Sequence, residues 1–162
     1  MNPQTLLPEF EHEMSGTRKL LACVPDEHLD WRPHEKSFTL RELATHLANL
    51  PKWVGISMSS ASVDYLTVPP DEPVPSSAAA TERFDARVEE VRGHINNATP
   101  EAWGEPWTFR VGDQERFTIP RLAAYRTMVM NHIFHHRGQL TVYLRLLNTP
   151  VPGLYGPSAD EK

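Results

Sequence analysis

Apolar residues recur at helical spacing in four stretches of this chain. In the first, Leu6, Leu7, Phe10, Met14, Thr17, Leu20 and Leu21 share one face, and Pro25-Asp26 ends the pattern. This predicts a helix starting after Pro3 or Pro8 and running to about Val24. In the second, Leu40, Leu43, Leu47, Leu50 and Val54 form the seam. Ser37 or Thr39 caps it, and Glu42, three residues after Thr39, completes a capping box. Pro51 removes a backbone donor inside this pattern and predicts a kink, after which the helix resumes and ends near Ser60 to Leu66. The third starts at a Ser76 or Ser77 cap and carries Ala80, Phe84, Val88, Val91 and Ile95 to about Asn97. The fourth and longest runs from about Ile119 to Leu147, opened by Thr118 and Pro120.

The connectors have their own pattern. Thr67 to Ser77 is a proline-rich loop, too short to divide domains. Trp107, Phe109 and Val111 alternate with Thr108 and Arg110, Gly112-Asp113 marks a turn, and Phe117 and Ile119 alternate again, which predicts a two-stranded hairpin. The tail from Val151 to Ser158 keeps apolar residues and is expected to lie along the helices. Together these predict an all-α four-helix bundle, with a short hairpin before the last helix, as a single domain over residues 1–162.

Placed on a heptad, the last helix has one seam row of Leu122, Val129, His136 and Tyr143 and another of Tyr125, His132, Gln139 and Leu146. Two imidazoles four residues apart, His132 and His136, therefore fall in the middle of a core-facing stripe. Each unsatisfied buried polar group costs roughly 1–3 kcal/mol, so the pair needs a reason. A divalent metal supplies one, because neutral imidazole is its commonest ligand.

Composition narrows the picture further. A length of 162 residues suits one domain with a sizeable core. A net charge of −5 without a Lys/Arg block argues against a nucleic-acid binder. One cysteine, Cys23, excludes an intramolecular disulfide and fits a reducing compartment; it reads as a core residue near a helix end. No apolar run approaches the ~18 residues of a membrane span, and the N-terminus lacks the marks of a secretory signal. A cytoplasmic protein is the expectation.

A third ligand must come from elsewhere, from among His12, His28, His34, His46, His94 and His135. His28 and His34 sit in a polar, proline-containing loop and read as surface residues, and His94 in a last helical turn faces the helix dipole. His135 points away from the pair and reads as a rim or subunit-contact residue. His46 is the only other histidine mid-helix beside an apolar stripe. Three imidazoles leave coordination positions open, as in catalytic sites. With no thiolate in the set, zinc, nickel and ferrous iron all fit.

These residues carry a resemblance. The segments ELATHLANLPKW, NHIFHHRGQLTVYLRLL and PVPGLYGPSADE, with the early Trp31-Arg32-Pro33, resemble the DinB family over nearly the whole chain. The resemblance implies a four-helix bundle with up-down-down-up connection. It also implies a divalent-metal site at His46, His132 and His136, and often a homodimer. Relatives include S-transferases and isomerases that use a low-molecular-weight thiol, and others are described only as candidate metal-dependent hydrolases. Gln139 and Tyr143 share the seam rows beyond the pair and are candidate pocket or ligand-supporting groups; core packing is the simpler reading of Tyr143. Arg137 is a candidate for an anionic substrate, with a surface or interfacial ion pair as the simpler reading. Trp53 and Trp107 are pocket candidates or core filling. Three functions follow: thiol transfer, metal-activated hydrolysis of a small molecule, or a non-catalytic metal-stabilised bundle in stress response.

Overall fold

The computed structural model describes residues 5–161. Helix α1 (Leu6–Ala22) follows Thr5, so Pro8 lies within its first turn, where a missing N–H costs no helical bond, and the alternative start after Pro8 is corrected. Helix α2 (Leu40–Asn49) opens with the expected capping box. The Thr39 hydroxyl accepts from the Glu42 amide at 3.1 Å, and the Glu42 carboxylate accepts from the Thr39 amide at 2.6 Å. That backbone donor holds the Glu42 carboxyl below its usual range.

Pro51 interrupts the helix where expected: α2 stops at Asn49, while Leu50 and Pro51 keep right-handed helical backbone angles. Without an N–H, Pro51 cannot bond back, and the chain restarts as α3 (Lys52–Ser59) through tighter three-residue bonds, Trp53 to Leu50 and Val54 to Pro51. Helix α3 ends with Ser60 as its cap, at the near end of the expected range, and the residues toward Leu66 form strand β1 (Ser62–Asp64) and a 3₁₀ turn (Tyr65–Thr67). Helix α4 (Ser77–Asn97) is capped by the Ser76 hydroxyl, as expected. A short α5 (Pro100–Gly104) was not foreseen; Thr99 caps it and Pro100 sits in its first turn.

The hairpin is present as β2 (Pro106–Val111) and β3 (Gln114–Pro120), turning at Gly112 with φ of 59°. The expectation of two strands is corrected to three, because β1 pairs in parallel with β2, Val63 opposite Phe109. Asp64 fixes this corner: its carboxylate accepts from the Gly112 amide at 2.9 Å and from the Leu66 amide at 3.0 Å. The sheet rests on α3 and on α6 (Arg121–Ala124).

Helix α6 continues through a π-helical segment (Tyr125–Met130) into α7 (Asn131–Leu146). Helices α1 and α4, α4 and α2, α2 and α7, and α7 and α1 pack as neighbours in a ring, so the fold is mostly helical with a small sheet at one side. Phe10, Leu21, Leu43, Leu47, Phe84, Ile95 and Leu140 are among the residues fully withdrawn from water inside that ring.

The π segment corrects the heptad reading. The Asn131 amide reaches back five residues to the Arg126 carbonyl, so this turn holds one residue more than an α turn. Upstream, Tyr125 and Val129 are buried as expected. Downstream the first row keeps His136 and Tyr143 buried as expected, but the second row is displaced by one position, with Ile133 and Leu140 buried in place of His132 and Gln139, and Arg137 and Leu144 enclosed beside them. His132 is half-buried, while Gln139 and Leu146 face solvent.

Arg137 is enclosed on this rotated face. It ties α7 to α1 through Glu13: Nη2 donates to the Glu13 carboxylate at 2.6 Å and Nη1 to the Glu13 carbonyl at 3.0 Å. The guanidinium lies between the Phe134 and Tyr155 rings, and the Tyr155 hydroxyl donates to the same carboxylate at 2.9 Å. Gly16 makes room: a Cβ there would stand 3.3 Å from Arg137 Nη1. The tail does lie along the helices, with Val151 buried and Asp160 paired with Arg145 at 2.7 Å. Cys23 caps the end of α1, where burial pushes its thiol up and away from reactivity. No helix among the described residues is long and apolar enough to cross a membrane.

Candidate metal centre

Helix α2 carries His46 near its C-terminal end, and α7 carries His132 and His136 one turn apart immediately after the π segment. Because α2 packs directly on α7, the three rings meet. Their centroids lie 4.9 Å (His46 to His132), 4.5 Å (His46 to His136) and 4.7 Å (His132 to His136) apart. One nitrogen from each lies within 4.8 Å of the other two.

The spacing fits a cation. A tetrahedral ion with bonds of about 2.0–2.1 Å separates its ligand atoms by about 3.3–3.4 Å. His46 Nε2 and His132 Nε2 are 3.3 Å apart. Two imidazole lone pairs aimed at each other at that distance repel unless a proton or a metal lies between them.

Neighbouring groups set which nitrogen each ring offers. His136 Nδ1 lies 2.7 Å from Gln139 Oε1, so the proton sits on Nδ1 and the Nε2 lone pair is left for the centre. The His132 ring makes a hydrogen bond to the backbone of Met128, in the π segment, while its Nε2 faces His46. Gln139 thus orients the His136 ring from the solvent edge of α7. Tyr143 acts at one remove: its hydroxyl donates to the Phe38 carbonyl at 3.0 Å, and the Phe38 ring lies 5.9 Å from His46 and 6.1 Å from His136. Arg137 is not brought to the centre; it is bound up with Glu13 on the α1 side. His135 is exposed, with its ring 4.8 Å from that of His136. His28 and His34 are on the surface.

A cleft of 490 Å³ opens beside the trio, with His46 and His132 among its walls. Trp53 lines it, whereas Trp107 is wholly buried and fills the core. Two residues that sequence reasoning did not single out also border it, Lys52 and Asp71, ion-paired at 2.5 Å. Asp71 comes from the proline-rich loop and is close enough to His46 to oppose the fall in its pKa. A carboxylate in such a loop gives no sequence signal of where the fold will place it.

Burial is the largest influence on all three imidazoles and favours their neutral, metal-binding form. His46 is driven from 6.5 to about 4, with the positive charge of His136 and then His132 adding to the effect. His132 and His136 are lowered as well, each partly offset by its supporting hydrogen bond. The metal-free fold therefore binds fewer protons than the unfolded chain between about 6.5 and about 4. Its stability is fully present above that window and is lost as pH falls through it. The urea midpoint of metal-free protein is expected to drop between about pH 7 and about pH 5, and to drop less in His46→Asn. Identical pH dependence in the two proteins would refute this.

The sequence profile of the DinB superfamily matches residues 9–140. The uncharacterized protein YrdA of Bacillus subtilis (strain 168) is 30% identical over 158 residues, covering 96% of this chain and 89% of that protein. Among solved structures, a DinB-like protein from Bacillus cereus ATCC 10987 superposes with a TM-score of 0.73 at 21% identity, covering 96% of this chain and 100% of its own. The DinB-like protein YjoA from Bacillus subtilis gives 0.70 at 15% identity, covering 98% of each chain. At those identities the two structures speak to the fold.

Proposed function

The chain belongs to the DinB superfamily, and from that premise we propose that it is a metal-dependent S-transferase acting with a low-molecular-weight thiol. His46, His132 and His136 would hold one divalent ion, zinc, nickel or ferrous iron, with a face left for ligands. The ion supplies positive charge that lowers a thiol's pKa toward the thiolate. Everything else falls to the chain's own residues. Gln139 and the Met128 backbone keep two rings turned with Nε2 inward, and burial keeps His46 deprotonated. The cleft beside the rings receives the electrophile. The thiolate sulfur bonds to the electrophilic carbon as that carbon's bond to its leaving group breaks. The leaving group departs with the electron pair, and the thiol proton passes to solvent.

The observation that carries this choice is the state of Asp71. Hydrolysis calls for a carboxylate or imidazole free to take a proton from water. The carboxylate on this cleft is engaged by Lys52, whereas thiol transfer asks for no such base. The second reading, a hydrolase with Asp71 as base, draws on its closeness to His46. The same reading takes α1, α2, α4 and α7 as the four helices of an up-down-down-up bundle, in keeping with their packing ring.

The test is consumption of low-molecular-weight thiols in the presence of a generic electrophile, by metal-loaded wild type and His132→Ala. Metal-dependent thiol loss, abolished in the variant, is expected. Turnover of esters or amides without thiol would replace transfer by hydrolysis. A folded protein inactive in both assays would leave a metal-stabilised, non-catalytic role.

A further inference from the structure

The cleft beside the trio has a wall of a particular chemistry. Trp53 comes from α3, Tyr65 from the 3₁₀ turn after β1, and Phe109 from β2. The parallel β1–β2 pairing is what brings the last two together, because it sets Val63 beside Phe109 and delivers Tyr65 two residues later. Asp64, bonded to both the Leu66 and Gly112 amides, holds that corner in place. The Trp53 and Tyr65 rings are nearly parallel, 16° apart with centroids at 6.3 Å. Phe109 stands 5.9 Å from each, edge-on to Trp53 and tilted to Tyr65.

Two features of this wall call for an occupant. Tyr65 and Leu66 keep 51% and 69% of their surface in water, and both border the cleft, so apolar area is left uncovered where a ligand would cover it. The volume of 490 Å³ also falls in the range of small-molecule pockets. The charge pattern then restricts the occupant. The cleft's lysine and aspartate neutralise each other, and Lys52 also lies 6.0 Å over the Trp53 ring. An anionic ligand would have to draw Lys52 away from Asp71, and a cationic one would compete for Asp71 against a partner already in contact.

We propose that this cleft binds an uncharged aromatic molecule against Trp53, Tyr65 and Phe109, presenting its reactive carbon to the side where His46 and His132 stand. This names the class of electrophile and rests on the transferase reading for its meaning, but the binding itself does not need the metal.

The experiment is calorimetric titration of the full chain, as purified and again after chelation, with neutral 4-nitroanisole and anionic 4-nitrobenzoate. Wild type is expected to bind 4-nitroanisole in both preparations, at least about tenfold more tightly than 4-nitrobenzoate. Trp53→Ala and Tyr65→Ala should each weaken binding by about threefold to tenfold, with metal content unchanged. Tyr65 is half exposed, so its removal leaves the core intact should the Trp53 variant fold poorly. Equal affinity for the two ligands would overturn the proposal. So would binding that survives Tyr65→Ala undiminished, or that disappears on chelation. If thiol is consumed but 4-nitroanisole does not bind, the substrate class falls and the transferase stands. If 4-nitroanisole binds but no thiol is consumed, the reverse holds.

Discussion

Exchange of His136 for alanine is expected to weaken divalent-metal binding by more than about 100-fold. The bound for this loss comes from the group behind it: partners that only orient a metal-binding histidine are worth about 10–100-fold in affinity. Gln139 is such a partner, 2.7 Å from His136 Nδ1, so Gln139→Ala should fall inside that interval. The ligand itself should cost more than its support. Competition against a chromophoric chelator measures both variants on one scale. If His136→Ala bound as tightly as wild type, that ring would not be a ligand. If Gln139→Ala were the more damaging of the two, the glutamine itself would be coordinating.

Glu13→Ala is expected to destabilise the fold by about 3–5 kcal/mol, because it leaves the Arg137 guanidinium charged, enclosed and without its counter-ion. Arg137 retains only 3% of its surface in water and Glu13 8%, so solvent cannot substitute for the lost carboxylate. The Tyr155 hydroxyl loses its acceptor in the same step. A loss of this size is a large share of the roughly 5–15 kcal/mol that separates folded from unfolded domains. Paired replacement, Glu13→Leu with Arg137→Met, removes both charges and is expected to recover most of the loss. Urea unfolding of the three proteins decides it. A cost near the ~1 kcal/mol of an exposed pair would show that water reaches this bridge. Metal binding should be unchanged in the paired variant, since Arg137 faces α1 and not the three imidazoles.

Different parts of the fold were legible in the sequence to different degrees, for physical reasons. The histidine trio was legible because an i, i+4 pair on an apolar stripe is costly without a ligand, and because His46 lay beside the α2 seam. The caps at Thr39 and Ser76 were legible because capping is a local interaction. The register of the last helix was not. Tyr-Arg-Thr-Met-Val-Met holds no glycine or proline to announce a π turn, so a heptad counted through it places Gln139 and Leu146 inward and misses Leu140. Strand β1 was hidden because three residues cannot display alternation and its partner lies more than forty positions away. Lys52 and Asp71 meet only through the tertiary fold, and so does the aromatic wall. The candidate metal ligands could thus be read from the chain, while the cleft that would give them a substrate could not.

In the proposed centre, His46, His132 and His136 bind one divalent ion through their Nε2 atoms. Long-range ¹H–¹⁵N correlation of the imidazole nitrogens, during zinc titration of metal-free protein, reads each ring separately. Three Nε2 signals are expected to shift together and to reach completion at one equivalent of zinc, with Nδ1 of His136 remaining protonated. Zinc-induced shifts in His28, His34 or His135 instead, or in fewer than three rings, would contradict this coordination.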